Sequence, residues 1–447
     1  MSFKSNYQKL EEFVSVMVII FSGFVVTAIM KLNNSFTFPS LDEMLWHYRS
    51  SIFWDKIVNF DFSGLIQSAQ PGITVYWFSG FMMKFIDFDF NDIMRRIAEK
   101  KAEGLDFNSA INDNSQAVYA AYETISFAFN TPLILLTVAF FISFYYLIRK
   151  LGFNKVISSF ALLFLTTNVF LAYWNTPSDK MLNIFITLSF LTILVYINKL
   201  GSRKYLYLSA MFGSWAVLSK LSAFFILPFY LLIFVFYAWP IDKKKIKLII
   251  KDYLLWILIF IVISIIFLPT IITNPQEVYN LVFKSESVVE KNYEISNYAN
   301  RIVFDYLKSF LFVMIGYMAQ ASSMSMFAYF IINLKKEYMH VFNSLPKKII
   351  NIIILYIGLF FVMVTIISKN HDIRFMSPAF VVLNIVSAVG LYGIFELIAE
   401  KIKLDNENKK IFYVLMFIVI VLSQIFFIVS SGQLSDKIIE TGILKFF

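Results

Sequence analysis

The chain has 447 residues, of which 59% are hydrophobic, 19% aromatic and only 15% charged, with 39 Lys and Arg against 30 Asp and Glu. That balance excludes an ordinary soluble domain, and it excludes a nucleic-acid partner because the basic residues fall mostly in short loops between apolar runs. The lack of cysteine rules out disulfides and thiolate metal sites, and the three histidines, His47, His340 and His371, are too few for a histidine-built centre.

A membrane-crossing helix needs about 20 mostly apolar residues. In chain order such runs cover 13–32, 120–148, 156–174, 181–198, 205–219, 221–240, 253–272, 318–334, 349–367, 376–398 and 411–430. About 11 crossings are therefore expected in a single all-α polytopic membrane domain spanning 1–447. The first run, from Phe13 to Met30, has no small-residue cleavage site and reads as a retained anchor. Two further apolar stretches are interrupted, Ile73–Phe88 by Lys84 and Ile302–Phe312 by Asp305 and Lys308. They are expected to lie in the membrane plane.

Charge sets the orientation. With the N-terminus in the cytoplasm, 21 of the 39 basic residues lie on the inner side, against 10 in the short outer loops and tail. The outer side then carries a first loop over 31–116, a second over 273–317 and a short tail over 431–447. Loops of that length in a compact domain are usually functional or disordered. The first contains Trp46, Trp54 and Trp77, the composition of segments that lie at a membrane interface, while Asn91–Ser115 reads as a solvated helix and polar linker. No internal repeat is visible, which counts against a transporter built from repeated halves.

Five outer stretches carry the residues able to do chemistry. In Pro39–His47, two adjacent carboxylates, Asp42 and Glu43, follow the first span. Ser40 and Glu43 also form a capping box, with Asp42 favoured by the helix dipole, so the stretch has a structural reading as well. Glu43 and His47 stand four apart on one helix face. Gln70-Pro71-Gly72 opens the interfacial segment, as proline suits a first helical turn. In Asn175–Lys180 a polar turn joins two spans, and Asp179 either caps the next helix or belongs to a site. Lys220 lies between two long apolar runs, where it is a functional candidate or a snorkelling side chain. Lys369–Pro378 brings Asp372 and Arg374 to the mouth of a span, as site residues or as an interfacial anchor.

Together these stretches define an outer, water-accessible cleft with carboxylates on one side and Lys220 and Arg374 on the other. Such a cleft suits group transfer from a lipid phosphate: a carboxylate takes the proton of an attacking hydroxyl, and cations stabilise the departing phosphate.

The order of these features resembles the integral-membrane GT-C glycosyltransferases, especially the branch of protein O-mannosyltransferases and the lipid A aminoarabinose transferase (family 39-like). The resemblance spans roughly residues 10 to 400. Asp42-Glu43 matches the acidic pair opening the family's first outer loop, and Gln70–Trp77 its His-Pro-rich stretch. Arg149–Gly152 is similar to the basic turn after the second span, and Asp179 to an aspartate after the third. Gly213–Lys220 is similar to a Gly-Leu-Ala-x-Leu-Thr-Lys pattern, and Asp372-x-Arg374-Phe375-x-x-Pro378 to Asp-Arg-Tyr-x-x-Pro. Gln70 replaces the usual histidine, and Ile373 separates Asp372 from Arg374. No large outer C-terminal domain of the kind some members of that family carry is expected.

The resemblance implies a GT-C-like fold in the cell (plasma or inner) membrane with its active site outside the cytoplasm. It implies sugar transfer from a polyprenyl-phosphate sugar donor to a lipid, glycan or protein acceptor. Asp42 is then the expected base, Glu43 a second catalytic carboxylate, and Lys220 and Arg374 the donor-phosphate ligands. His47, Gln70, Asp179 and Asp372 are further site candidates. No cofactor is expected, and a divalent metal has no support in the sequence. Membrane lipids are the remaining expected partner. The competing classes are a flippase or transporter of lipid-linked sugars, which needs charges near the bilayer midplane, and a non-catalytic assembly subunit, in which Asp42 is replaceable.

Overall fold

The computed structural model describes residues 12–24, 41–66, 72–85, 115–167, 177–198, 202–238, 243–280, 328–329, 331–332, 340–343, 345–367 and 377–422, with backbone alone at 41–45, 83, 115–126, 243–246 and 361–367. Among the described residues the regular structure is entirely helical, with no strand. The helices are α1 (Glu12–Phe24), α2 (Leu41–Val58), α3 (Ile73–Phe78), α4 (Ser115–Lys150), α5 (Lys155–Thr166), α6 (Pro177–Asn198) and α7 (Arg203–Ser219). There follow α8 (Ile226–Ala238), α9 (Lys243–Phe267), α10 (Thr270–Thr273), α11 (Pro275–Tyr279), α12 (Lys347–Ile367), α13 (Ser377–Lys401) and α14 (406–422). Two 3-10 turns, Gly80–Phe85 and Leu221–Phe225, follow α3 and precede α8.

Four segments among the described residues are long and apolar enough to cross a membrane: Phe127–Lys150, Pro177–Asn198, Lys247–Phe267 and Ser377–Lys401. The helices Glu12–Phe24, Lys155–Thr166 and Leu221–Phe236 are apolar but shorter. These long apolar helices mark a membrane protein.

Basic residues gather at one end of the bundle, here the lower end. Arg149 and Lys150 close α4, Lys155 opens α5, Arg203 and Lys204 open α7, Lys347 and Lys348 open α12, and Lys401 closes α13. The upper end is where Lys220 lies. Helix α6 is the centre of the bundle: 94% of its apolar window is buried, against 28% for α9, whose outer face is left for lipid.

Helices α6 and α7 run antiparallel and are joined by reciprocal hydrogen bonds. The Ser189 hydroxyl donates to the Ser209 carbonyl at 2.7 Å, and the Ser209 hydroxyl donates to the Ser189 carbonyl at 2.9 Å. Tyr230 of α8 donates to Ser189 Oγ at 2.8 Å, and the Trp256 indole of α9 donates to Ser209 Oγ at 3.1 Å. In an apolar medium such bonds add about 0.6 kcal/mol each on average, and here they also fix the order of four helices. Gly213 makes the approach of α9 feasible, because a Cβ there would stand 2.8 Å from the Trp256 ring.

Three boundaries depart from the apolar-run reading. Helix α9 begins at Lys243 rather than near 253, since its lysines extend the helix to the lower end. The stretch expected as one interfacial helix from Ile73 is instead α3 and a 3-10 turn, broken at Ser79-Gly80, two weak helix formers. The run from 221 opens as a 3-10 turn because Lys220 leaves the helix in an extended conformation, and Pro228 then falls in the first turn of α8, where a proline is tolerated.

Candidate functional site

The sequence break at Lys220 builds the centre of the upper end. Lys220 follows α7 in an extended conformation (φ −156°, ψ 127°), which turns its side chain off the helix axis. Its ammonium lies 2.7 Å from Asp179 Oδ1. Asp179 is in the first turn of α6, where Pro177 starts the helix and the dipole favours a carboxylate. Only 7% of Lys220 and 5% of Asp179 is exposed. An ion pair buried to this extent is sustained by geometry, since removing either partner strands a charge.

The segment after Gln70-Pro71 packs directly on the end of α7. The Gly72 N–H donates to the Ser219 carbonyl at 3.3 Å, satisfying a helix-end acceptor that would otherwise be orphaned. Thr74 Oγ1 and Ser219 Oγ are 2.6 Å apart. Because the Ser219 hydroxyl donates to the Trp215 carbonyl, Thr74 is the donor between them. Gly72 has φ +56°, and a Cβ there would fall 2.0 Å from the Trp46 ring. Trp46 of α2 therefore seals the segment from the other side, and its ring lies 5.7 Å from that of Tyr76.

Helix α2 and the start of α13 complete the upper end. The α2 backbone begins at Leu41, so Asp42 and Glu43 occupy its first turn, with Asp42 one turn before Trp46. His47 is buried, its ring edge-on to Phe129 of α4 at 4.4 Å. Ser377, the first residue of α13, donates to Asn183 Oδ1 at 2.9 Å, one turn below Asp179. Arg374 and Asp372 precede it by three and five residues; they and Gln70 lie outside the described residues.

A turn after α2 is tied to α11. Lys56 pairs with Asp61 at 3.1 Å and donates to the Ser63 carbonyl at 2.6 Å, while Gly64 N–H donates to Glu277 Oε2 at 3.1 Å. Hydrogen bonds from the Ser63 hydroxyl and from Lys56 hold the Asp61 carboxyl below its ordinary pKa. Beside the Lys220 turn, an apolar cavity of about 240 Å³ opens between α7, α9 and α10; Leu218, Leu221, Phe260, Leu268 and Ile271 line it.

Three of the singled-out stretches, Gly72–Trp77, Asp179 and Ser219-Lys220, thus meet through direct contacts, and α2 joins them through Trp46. In the structure Lys220 is held by Asp179, a pairing that the sequence reading did not make. Missed altogether were the Thr74–Ser219 and Ser377–Asn183 bonds. The signal was there for the pair: in an antiparallel hairpin with a short connection, the start of the first helix lies beside the end of the second. Among the described residues no group of three or more His, Cys, Asp and Glu is placed to hold a metal ion. No protein-family model matches the chain, and comparison with curated proteins finds no match.

Proposed function

We propose that this chain is a GT-C-like membrane glycosyltransferase, with about 11 crossings, that moves a sugar from a polyprenyl-phosphate donor to an acceptor outside the cytoplasm. The observation that carries this reading is the convergence at one end of the bundle. Lys220 and Asp179 are in contact, the Gly72–Trp77 segment packs on Ser219, and α13 begins beside Asn183 three residues after Arg374. An apolar cavity flanked by Leu218 and Leu221 adjoins them. A lipid phosphate needs a cation beside an apolar channel, and Lys220 next to the cavity supports that reading.

In this reading Lys220 and Arg374 meet the donor phosphate, with Asp179 positioning the lysine, and the cavity receives part of the lipid chain. Asp42 takes the proton of the acceptor hydroxyl while the phosphate departs. Glu43 and His47, four apart on α2, order the acceptor side. The lower end, with its lysines, faces the cytoplasm of a cell-membrane protein.

The deciding experiment supplies purified protein in lipid vesicles with a polyprenyl-phosphate sugar labelled in the sugar. Transfer of label to an acceptor fraction from the cell envelope supports the proposal. Movement of intact labelled lipid across the bilayer without bond breakage would replace it with a carrier.

A further inference from the structure

Below the Asp179–Lys220 pair, α6 and α13 meet through the Ser377–Asn183 hydrogen bond, where two apolar helices would ordinarily meet through hydrocarbon. Asn183 and Thr187 follow Asp179 at successive turns on one face of α6. The Ser377–Asn183 bond sets the register of α13 beside them, and Asn384 and Ser387 stand seven and ten residues on from Ser377.

The two helices run in the same direction. The last residue of α6, Asn198, donates to the Leu151 carbonyl in the α4–α5 turn at 3.4 Å. Phe395, late in α13, packs on Phe160 of α5 with ring centroids 5.6 Å apart. With a rise of 1.5 Å per residue, Thr187 lies ~6 Å and Asn384 ~10 Å below the Ser377–Asn183 bond, so the two are neighbours in depth.

All four side chains are fully buried. Asn183 Nδ2, Thr187 Oγ1, both amide atoms of Asn384 and Ser387 Oγ have no hydrogen-bond partner among the described residues. Tyr356, stacked on Phe190 one turn past Thr187 at 4.1 Å, adds another unpartnered hydroxyl. In a membrane interior each such atom keeps its full desolvation cost. Leucines at these positions would pack the closed seam at no such cost.

We propose that α6 and α13 part at their upper ends and that the seam between them is a recess taking up water as far as Ser387. The atoms then acquire the partners that the closed seam denies them. Below the ion pair these two helix faces offer amides and hydroxyls with no carboxylate or ammonium, so the recess suits neutral hydroxyl-bearing groups and disfavours ions. None of this depends on the transferase reading.

The native chain has no cysteine, which makes the test direct. Thr187→Cys, Ser387→Cys and Asn384→Cys, each alone in lipid vesicles, are exposed to a small hydrophilic methanethiosulfonate reagent. Ile193→Cys and Val389→Cys serve as packed controls. Labelling at the three positions at least tenfold faster than at the controls is expected, since thiolates form and react in water. Rates equal to the controls in folded protein would overturn the proposal. Asn384→Leu placed above Ser387→Cys, nearer the opening, should slow labelling at 387 by at least tenfold while the thermal midpoint is kept; unchanged labelling would equally overturn it.

Discussion

Asp179 and Lys220 are 41 residues apart in the chain and 2.7 Å apart in space, closing the upper end of the α6–α7 hairpin. Their burial makes them interdependent. Removing one partner of such a pair costs about 3–5 kcal/mol, whereas replacing both with apolar residues of similar volume is often neutral or stabilising. Lys220→Met and Asp179→Leu are therefore each expected to lower the thermal midpoint sharply, and the double variant to recover most of the loss. Transfer activity should not recover with it. A double variant that regains both would make the pair structural only.

Gly72 supplies a second, purely geometric test. Its φ of +56° is left-handed, and a Cβ added there would meet the Trp46 ring at 2.0 Å, so the position has no room for a side chain. Gly72→Ala should destabilise by more than the ~1–2 kcal/mol that a left-handed alanine costs, because Trp46 must also move. Pairing it with Trp46→Leu should return part of the loss. Equal midpoints for Gly72→Ala and wild type would refute the contact between α2 and the α3 segment.

Asp61 gives a pH signature. Its folded pKa is depressed, by the Ser63 hydroxyl first and Lys56 next. Its contribution is thus present above the unfolded value of about 3.9 and is lost as pH falls through the lower folded value. Comparing thermal midpoints of wild type and Asp61→Asn, the gap should be constant above about pH 5 and should close on acidification below about pH 4. A gap that widens in acid would contradict the assigned hydrogen bonds.

What could be read from sequence divides along physical lines. Apolar runs located α4, α6 and α13, because length and hydropathy alone decide which helices suit a bilayer. Lys220 stood out for the same reason. Hydropathy reads the run beginning at 221 as a plain span, since it does not register that Lys220 leaves the helix in an extended conformation. Partners are harder still: local sequence makes Asp179 only a cap or site residue, and its tie to Lys220 emerges only once the two spans are paired as a hairpin. The orphaned amide of Asn384 was invisible, because an asparagine in an apolar run averages away in any window.

Orientation is open to a simple measurement. The lower end carries the lysines and should face the cytoplasm. Single cysteines at Asn59, exposed in the turn after α2, and at Glu407, exposed at the start of α14, report the two ends. In intact cells an impermeant thiol reagent should label Asn59→Cys and spare Glu407→Cys. The reverse pattern would invert the topology and move the proposed site to the cytoplasm.

The last expectation separates catalysis from helix capping at the start of α2. Asp42 and Glu43 are adjacent in its first turn, so their positions differ by about 100° around the helix, and one atom cannot be served equally by both. Glu43 is the residue a capping box would engage. Asp42 is one turn from Trp46, whose ring covers Gly72 beside Ser219 and Lys220. In the proposed reaction that register favours Asp42 as the base. Asp42→Asn is nearly isosteric and should keep its thermal midpoint and donor binding while transfer falls by about 10²–10⁴-fold, the range for a lost general base. Glu43→Gln can still cap and should be milder. Equal unfolding of both variants would return the stretch to structure, and full activity in Asp42→Asn would remove it as the base. An acceptor that is itself an ionised phosphate needs no base, so activity retained only with such an acceptor would identify the acceptor class.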